Sequence, residues 1–163
     1  MKKSIITIAG SLGSGKSTTA RAIAKELDFK HFSGGDLQKK TAESLGLTLE
    51  EYHKKIEVDD TYDRKVEDTI IELGKGENVV IETRVGFYTI PDSFKLFLLL
   101  DPTVAAERMI KDAEINPMRD KEIVGGMQSV EQVVESIHVR VASEQKRYHN
   151  YYGIENSNGN FSF

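Results

Sequence analysis

The sequence predicts an α/β fold with a mainly parallel sheet and helices on both of its faces. Short apolar runs rich in β-branched residues, which are typical of buried parallel strands, alternate along the chain with segments of helical periodicity. Between the first such run and the first helix, residues 10–17 read Gly-Ser-Leu-Gly-Ser-Gly-Lys-Ser and fit the phosphate-loop pattern G-x-x-x-x-G-K-[ST]. Together these features predict three layers, helix–sheet–helix, with a phosphate site after the first strand.

Composition and charge narrow the class of protein. The 163 residues, 39% hydrophobic and 29% charged, suit one compact globular domain over residues 1–163. A net charge of −4 argues against a nucleic-acid partner, since general nucleic-acid binders are usually basic. The chain has no cysteine, so disulfides and thiolate metal sites are absent. No stretch approaches the roughly 20 apolar residues of a membrane span. We expect a cytoplasmic monomer with no membrane partner.

The phosphate loop has the flanks that its chemistry requires. A buried strand is predicted over 4–9 and a helix over 18–27. Inward-turned backbone N–H groups of such a loop form an anion nest, and the helix adds the positive end of its dipole. Lys16 supplies charge for the β and γ oxygens of a nucleoside triphosphate, and Ser17 offers a hydroxyl to Mg²⁺. The expected nucleotide-binding residues are Gly10, Ser11, Gly13, Ser14, Gly15, Lys16, Ser17 and Thr18.

The next part of the chain predicts a short strand followed by a helical region. The strand covers 30–32, residues 33–36 form a turn, and a helix over 37–45 ends at Gly46. Thr48-Leu49-Glu50-Glu51 is a capping box that starts a short helix. A longer helix, capped by Asp59 or Asp60, then runs to Gly74 and Gly76.

Two further strands and a capped helix follow. The strands are predicted over 79–81 and 94–100. Asp101 then caps a helix with Pro102 at its first position, and that helix extends to about residue 113. Residues 114–128, with the start of the next helix, are expected to form a lid whose closure excludes water.

The last predicted helix carries two arginines on one face. Ser129 and Gln132 form its capping box, and Gly153 ends it. Arg140 and Arg147 are two turns apart and flank the apolar stripe, so both guanidinium groups can project from its edge.

Parallel sheets collect ligands at the carboxyl ends of their strands, which brings the candidate residues together. Glu82 and Arg84 follow the third strand; Glu82 is a candidate Mg²⁺ ligand and Arg84 a candidate phosphate ligand. Simpler roles stay open: Arg84 as a solvated turn residue, Glu82 paired with a lysine, and Arg140 paired with Glu144. For Asp101, the helix-capping role is enough to account for the residue without a catalytic role. The histidines show no metal-ligand spacing and are taken as structural or surface residues.

Five segments, spread over most of residues 4–154, also carry a family resemblance: GSLGSGKST, KHFSGGDLQKK, GLTLEEYHKKIEVDDTYDR, ENVVIETR and SEQKRYHNYYGI. Their order and spacing resemble the nucleoside monophosphate kinases of the P-loop superfamily, most closely the short, archaeal-type cytidylate kinases. The loop alone is generic among P-loop proteins, whereas its combination with the SGGD turn, the E-T-R strand end and the R-x6-R helix is more specific.

The resemblance implies transfer of the γ-phosphoryl group of ATP, with Mg²⁺, to CMP or dCMP, with residues 33–75 as the helical region that binds this acceptor. Ser33, Asp36 and Lys39 would face the monophosphate, Arg84 would grip its phosphate, and Arg108 would lie near the adenine. The implied catalytic residues are Lys16, Arg84, Arg140 and Arg147.

The chain also departs from the family pattern. Relatives often have arginine where this chain has Lys39, and lysine lacks the planar fork, which leaves a weaker or different acceptor open. Relatives continue with another strand and helix where this chain ends in an asparagine-rich tail over 156–163. The alternatives are a kinase of another nucleotide or of a small metabolite, with Asp36 as base, and a nucleotide-binding regulator with little turnover.

Overall fold

The computed structural model describes residues 4–115 and 129–154, which form two compact units. The sheet unit comprises residues 4–10 and Ser14–Leu99, and the helical unit comprises Ser11–Gly13 with residues 100–115 and 129–154. The elements in chain order are β1 (Ile5–Gly10), α1 (Lys16–Leu27), β2 (Lys30–Ser33), α2 (Gly34–Ser44), α3 (Leu49–Val58), α4 (Thr61–Leu73), β3 (Val79–Glu82), α5 (Gly86–Thr89), β4 (Phe94–Leu98), α6 (Pro102–Ile115) and α7 (Val130–Tyr152).

The sheet unit is built on a four-stranded parallel sheet in the order β2-β3-β1-β4. This confirms the predicted α/β class. β1 pairs with β3 and β4, so that Ile8 stands opposite Glu82 on one side and Leu96 on the other. β2 pairs with β3 and sets Ser33 opposite Glu82. Since all four strands run the same way, the ends of β1, β2 and β3 meet at one edge.

Each face of the sheet is covered by its own hydrophobic cluster. On one face, Ile8 and Val80 pack against Ala20 and Ala24 of α1. On the other, residues that alternate with these along β1 and β3 pack against Val66 and Ile70 of α4. The period of two in a strand sends successive side chains to opposite faces, so continuous apolar strands are buried from both sides. The helices therefore flank the sheet in three layers.

Several helix ends of the sheet unit follow the predicted chemistry, and others differ from it. Thr48 and Glu51 form the expected capping box, and Gly46 adopts a positive φ just beyond α2. Residues 34–36, predicted as part of a turn, are instead the first turn of α2, and Ser33 at the end of β2 caps that helix by accepting a hydrogen bond from the Asp36 N–H. The short helix α5 was not predicted, because four residues are too few to show helical periodicity.

The helical unit consists of two helices and a short stretch of the phosphate loop. Asp101 caps α6 by accepting from the N–H groups of Thr103 and Val104, and Ser129 and Gln132 form the predicted capping box of α7. The two helices share a cluster centred on Ala105, Ala106, Val133 and Ile137. Residues 116–128 of the predicted lid and the predicted tail lie outside the described residues.

Candidate active site

The first turn of α1 presents open backbone donors at the end of β1. Its N-cap is Gly15, with φ 84° and no side-chain cap, and the first turn contains no acidic residue. The first N–H groups of a helix have no partner within the helix, and the dipole makes this end attractive to anions. The Ser14 Oγ is buried and makes no hydrogen bond to any residue that the structure describes. These features fit the phosphates of ATP.

Two cations meet at the carbonyl oxygen of Gly10. Lys16 donates to it from Nζ at 3.0 Å, and Arg84 donates from a guanidinium nitrogen at 2.7 Å. Arg84 is half-buried, so it is not a solvated turn residue. The shared acceptor brings both predicted catalytic cations of the sheet unit side by side, next to the start of the phosphate loop.

Gly10 has a strict geometric requirement at this position. Its φ is 148°, and a Cβ built there would lie 2.3 Å from the carbonyl oxygen and 2.8 Å from the amide nitrogen of Leu98 in β4. Both atoms belong to the backbone, so rotation of a side chain cannot relieve the contact. β1 and β4 can approach this closely only because residue 10 has no side chain.

Glu82 occupies the end of β3 with a donor on each carboxylate oxygen. The Ser17 hydroxyl donates to Oε2 at 2.7 Å, and the Nε2 of His31 lies 2.6 Å from Oε1. The lysine partner considered for Glu82 is therefore not what the structure shows. His31, taken from the sequence as structural or surface, lies in the site. The sequence placed His31 on a short strand, but only the register of that strand, with Ser33 opposite Glu82, puts His31 on the sheet face of Glu82.

Ser17 and Glu82 fit a Mg²⁺ site of the kind found in kinases. A hydroxyl and a carboxylate supply the oxygen ligands that Mg²⁺ prefers, and this ion usually takes its remaining ligands from phosphates and water. In residues 4–115 and 129–154, no group of three or more His, Cys, Asp or Glu side chains is arranged to hold a metal. The pair therefore suits an ion that arrives with a nucleotide better than an all-protein metal centre.

The predicted acceptor residues begin at the neighbouring strand end. Ser33 is hydrogen-bonded in the cap of α2, and a Cβ on Gly34 would lie 3.1 Å from the carbonyl oxygen of Glu82. The start of α2 thus lies against the end of β3. Asp36 is exposed on the first turn of α2, and Lys39 is half-buried one turn later.

In the helical unit, residues of the phosphate loop have anchoring contacts. The Ser11 Oγ accepts a hydrogen bond from the Leu100 N–H at 3.2 Å, and Leu12 is buried in the cluster shared by α6 and α7. A Cβ on Gly13, whose φ is 71°, would lie 3.2 Å from the Cβ of Ala105. Arg108, predicted near the adenine, is exposed on α6.

The two arginines of α7 differ in their surroundings. Arg147 is buried and donates to the Ser143 Oγ at 3.0 Å. Arg140 is partly exposed and pairs with Glu144, with 3.4 Å between its Nε and the carboxylate. The pair considered from the sequence is thus present, although Glu144 is mostly buried rather than on the surface.

Comparison with known proteins gives the site a context. Residues 9–124 match the family model described as an AAA domain. A cytidylate kinase of Thermococcus kodakarensis is 34% identical over 152 residues, which cover 93% of this chain and 72% of that protein. A cytidylate kinase of Natronomonas pharaonis is 35% identical over 154 residues, covering 93% and 73% respectively.

A solved structure has the same fold at lower identity. A shikimate kinase from Bacteroides thetaiotaomicron matches with a TM-score of 0.59 and 19% identity, covering 90% of this chain and 82% of that one. At this identity the likeness concerns the fold alone. Within the part of the chain that the structure describes, no helix has both the length and the apolar character needed to cross a bilayer.

Proposed function

The chain belongs to the nucleoside monophosphate kinase family of P-loop proteins, and from that premise we propose that it transfers the γ-phosphoryl group of ATP to CMP or dCMP. The observation that supports phosphoryl transfer is the convergence of Lys16 and Arg84 on one carbonyl oxygen, and the choice of CMP or dCMP follows the cytidylate kinases that the chain resembles. A protein that only holds a nucleotide has no evident need for the second cation. Phosphoryl transfer does, because charge must be neutralised between a donor and an acceptor phosphate.

On the donor side, the residues bind and orient ATP. The N–H groups at the start of α1 and the Ser14 hydroxyl would receive phosphate oxygens, and Lys16 would exchange the Gly10 carbonyl for the β and γ oxygens. Ser17 and Glu82 would hold Mg²⁺, which when bound neutralises charge on the same phosphates. For Arg108, which is exposed on α6, we propose a contribution to ATP affinity.

On the acceptor side, Arg84 would form two parallel hydrogen bonds to the monophosphate, as its planar guanidinium allows. Ser33, Asp36 and Lys39 are proposed to face the same substrate from the start of α2. The acceptor phosphate is already an anion, so transfer needs no general base and depends on positioning and charge. Arg140 and Arg147 are proposed to add positive charge during transfer, so their alanine variants should lower kcat more than ATP affinity.

The test is a coupled assay of ADP release with ATP, Mg²⁺ and a panel of acceptors. The panel contains each ribonucleoside and deoxyribonucleoside monophosphate, together with shikimate and gluconate as metabolite hydroxyls. Rapid ADP release that requires CMP or dCMP is expected. Release that requires only a different monophosphate would overturn the choice of base.

Two other outcomes separate the alternative functions. ADP release only with a metabolite hydroxyl would identify a metabolite kinase, and Asp36→Asn would then be expected to abolish turnover. Tight ATP binding without turnover on any acceptor would identify a nucleotide-binding regulator. Lys16→Ala is the negative control for every acceptor in the assay, because it removes the positive charge proposed to lie next to the γ-phosphoryl group of ATP.

A further inference from the structure

Resting on the proposed function, in which Ser17 and Glu82 hold Mg²⁺, we propose that His31 is a positioning residue for the Glu82 carboxylate. His31 lies on β2 and Glu82 at the end of the adjacent β3, 51 positions apart in sequence. The role requires no contact between His31 and either substrate.

The contact lies where two parallel strands are in fixed register. Ser33 pairs with Glu82 and His31 with Val80, so the imidazole reaches Glu82 diagonally across the two strands. The side chain of Glu82 is 8% exposed and that of His31 is 19% exposed. Because both side chains are largely enclosed and both backbones are held in the sheet, the 2.6 Å contact has little freedom to rearrange.

Hydrogen-bond chemistry defines what His31 does. A carboxylate accepts and does not donate, so in this contact the Nε2 of His31 carries the hydrogen that is donated to Glu82. Ser17 donates to the other oxygen, so each carboxylate oxygen has one donor. Two donors on opposite oxygens fix the rotation of the carboxylate about its terminal bond. Without His31, Ser17 would be the remaining donor to that carboxylate among the residues that the structure describes.

Loss of His31 is expected to affect the binding of Mg²⁺ rather than the binding of the nucleotide alone. Hydrogen bonds to a ligating carboxylate typically change metal affinity by about 10–100-fold when they are lost. In the proposed site, ATP without Mg²⁺ depends on the loop and on Lys16, whereas the hydrogen bond of His31 goes to Glu82. Loss of His31 should therefore weaken the gain in ATP affinity that Mg²⁺ provides and leave metal-free binding unchanged.

The experiment measures ATP affinity by calorimetry without any acceptor, once with saturating Mg²⁺ and once with EDTA. In His31→Leu, the ratio of the two affinities is expected to fall by about tenfold or more. His31→Gln keeps an N–H donor at a similar reach and should restore most of the ratio. The matched control is His138→Leu, which replaces an exposed histidine of α7 and should leave the ratio unchanged.

A spectroscopic measurement tests the same contact without metal or nucleotide. Nitrogen NMR of the His31 ring should show the tautomer with hydrogen on Nε2. The tautomer with hydrogen on Nδ1 would overturn the proposal, as would an unchanged affinity ratio in a folded His31→Leu. Equal defects in His31→Gln and His31→Leu would also contradict it, because they would point to ring packing instead of the donated hydrogen bond.

These readouts separate this inference from the proposed function. If the wild-type protein shows Mg²⁺-dependent ATP binding that His31→Leu weakens, yet phosphorylates neither CMP nor dCMP, only the proposed acceptor fails. If it phosphorylates CMP while His31→Leu keeps the full Mg²⁺ effect, only the role of His31 fails.

Discussion

Replacing Gly10 with alanine tests the contact that lets β1 and β4 approach each other at the phosphate loop. The new Cβ would lie 2.3 Å from the Leu98 carbonyl oxygen, and the residue would be held at φ 148°. Rarely populated backbone geometry costs about 1–3 kcal/mol. Forcing atoms into a packed region costs about 1–3 kcal/mol more, and here only movement of a strand can relieve the contact. We therefore expect Gly10→Ala to lower the free energy of unfolding by roughly 2–6 kcal/mol.

Two other glycines provide matched controls. Gly15 has φ 84° and Gly46 has φ 68°, and a Cβ at either position would meet nothing within 4 Å. Alanine at each should cost only the conformational part, about 1–2 kcal/mol. Gly15→Ala should also weaken ATP binding, because Gly15 is the N-cap of α1, whereas Gly46→Ala should not, because Gly46 follows α2.

The assay is urea unfolding followed by circular dichroism and by the fluorescence of the six tyrosines, since the chain has no tryptophan. Calorimetry gives the ATP affinity of each folded variant. If Gly10→Ala and Gly46→Ala lose the same free energy of unfolding, the strand contact does not limit residue 10 and the reasoning is refuted. A Gly15→Ala protein with normal ATP affinity would remove the role assigned to the start of α1.

Three further predictions follow from the sheet unit. Lys16→Ala should lower kcat by at least about 10²-fold while the protein stays folded, and near-normal turnover would contradict the proposed function. Arg84→Lys keeps the charge but loses the planar fork, so KM for the acceptor monophosphate should rise while ATP affinity stays nearly constant; the reverse pattern would overturn the assignment of Arg84. The Thr48 backbone N–H, with smaller help from the Thr48 hydroxyl, lowers the pKa of Glu51 from its ordinary value of 4.5. A lowered pKa in the folded state means that ionised Glu51 stabilises the fold above pH 4.5, and this stabilisation is lost as the pH falls below that value. Urea unfolding of Glu51→Gln should therefore show a free energy of unfolding that depends less on pH in this range.

Local features of the fold could be predicted because local chemistry determines them. The capping boxes at Thr48 and Ser129 need only residues three apart, and both are present. Gly46 and Gly153 adopt positive φ just beyond their helices, as expected of glycine at a helix end. The end of β4 was harder to place. Leu99 and Leu100 continue the apolar run, yet the strand ends at Leu98 and Leu99 is 67% exposed, because apolar character alone does not mark where pairing stops.

In the candidate site, too, the sequence predicted which residues take part but did not predict their contacts. The phosphate-loop pattern singled out Lys16 and Ser17, and the rule for parallel sheets singled out Glu82 and Arg84. The partners of these side chains could not be predicted. Arg84 lies 74 positions from Gly10, whose carbonyl oxygen it contacts, and the His31–Glu82 contact depends on strand register that no short pattern encodes.

In the proposed function, the shared carbonyl oxygen of Gly10 has an entropic consequence for the binding of both substrates. Lysine and arginine lose up to about 2 kcal/mol of rotamer freedom each when they become ordered. Lys16 and Arg84 are already ordered on a common backbone atom. When a phosphate binds, the two side chains would therefore exchange the carbonyl oxygen for a phosphate oxygen as their hydrogen-bond acceptor. Little of the binding free energy would then be spent on ordering two long side chains. Because that acceptor belongs to the main chain, no single substitution can delete it, and evolution can alter its position only by moving β1.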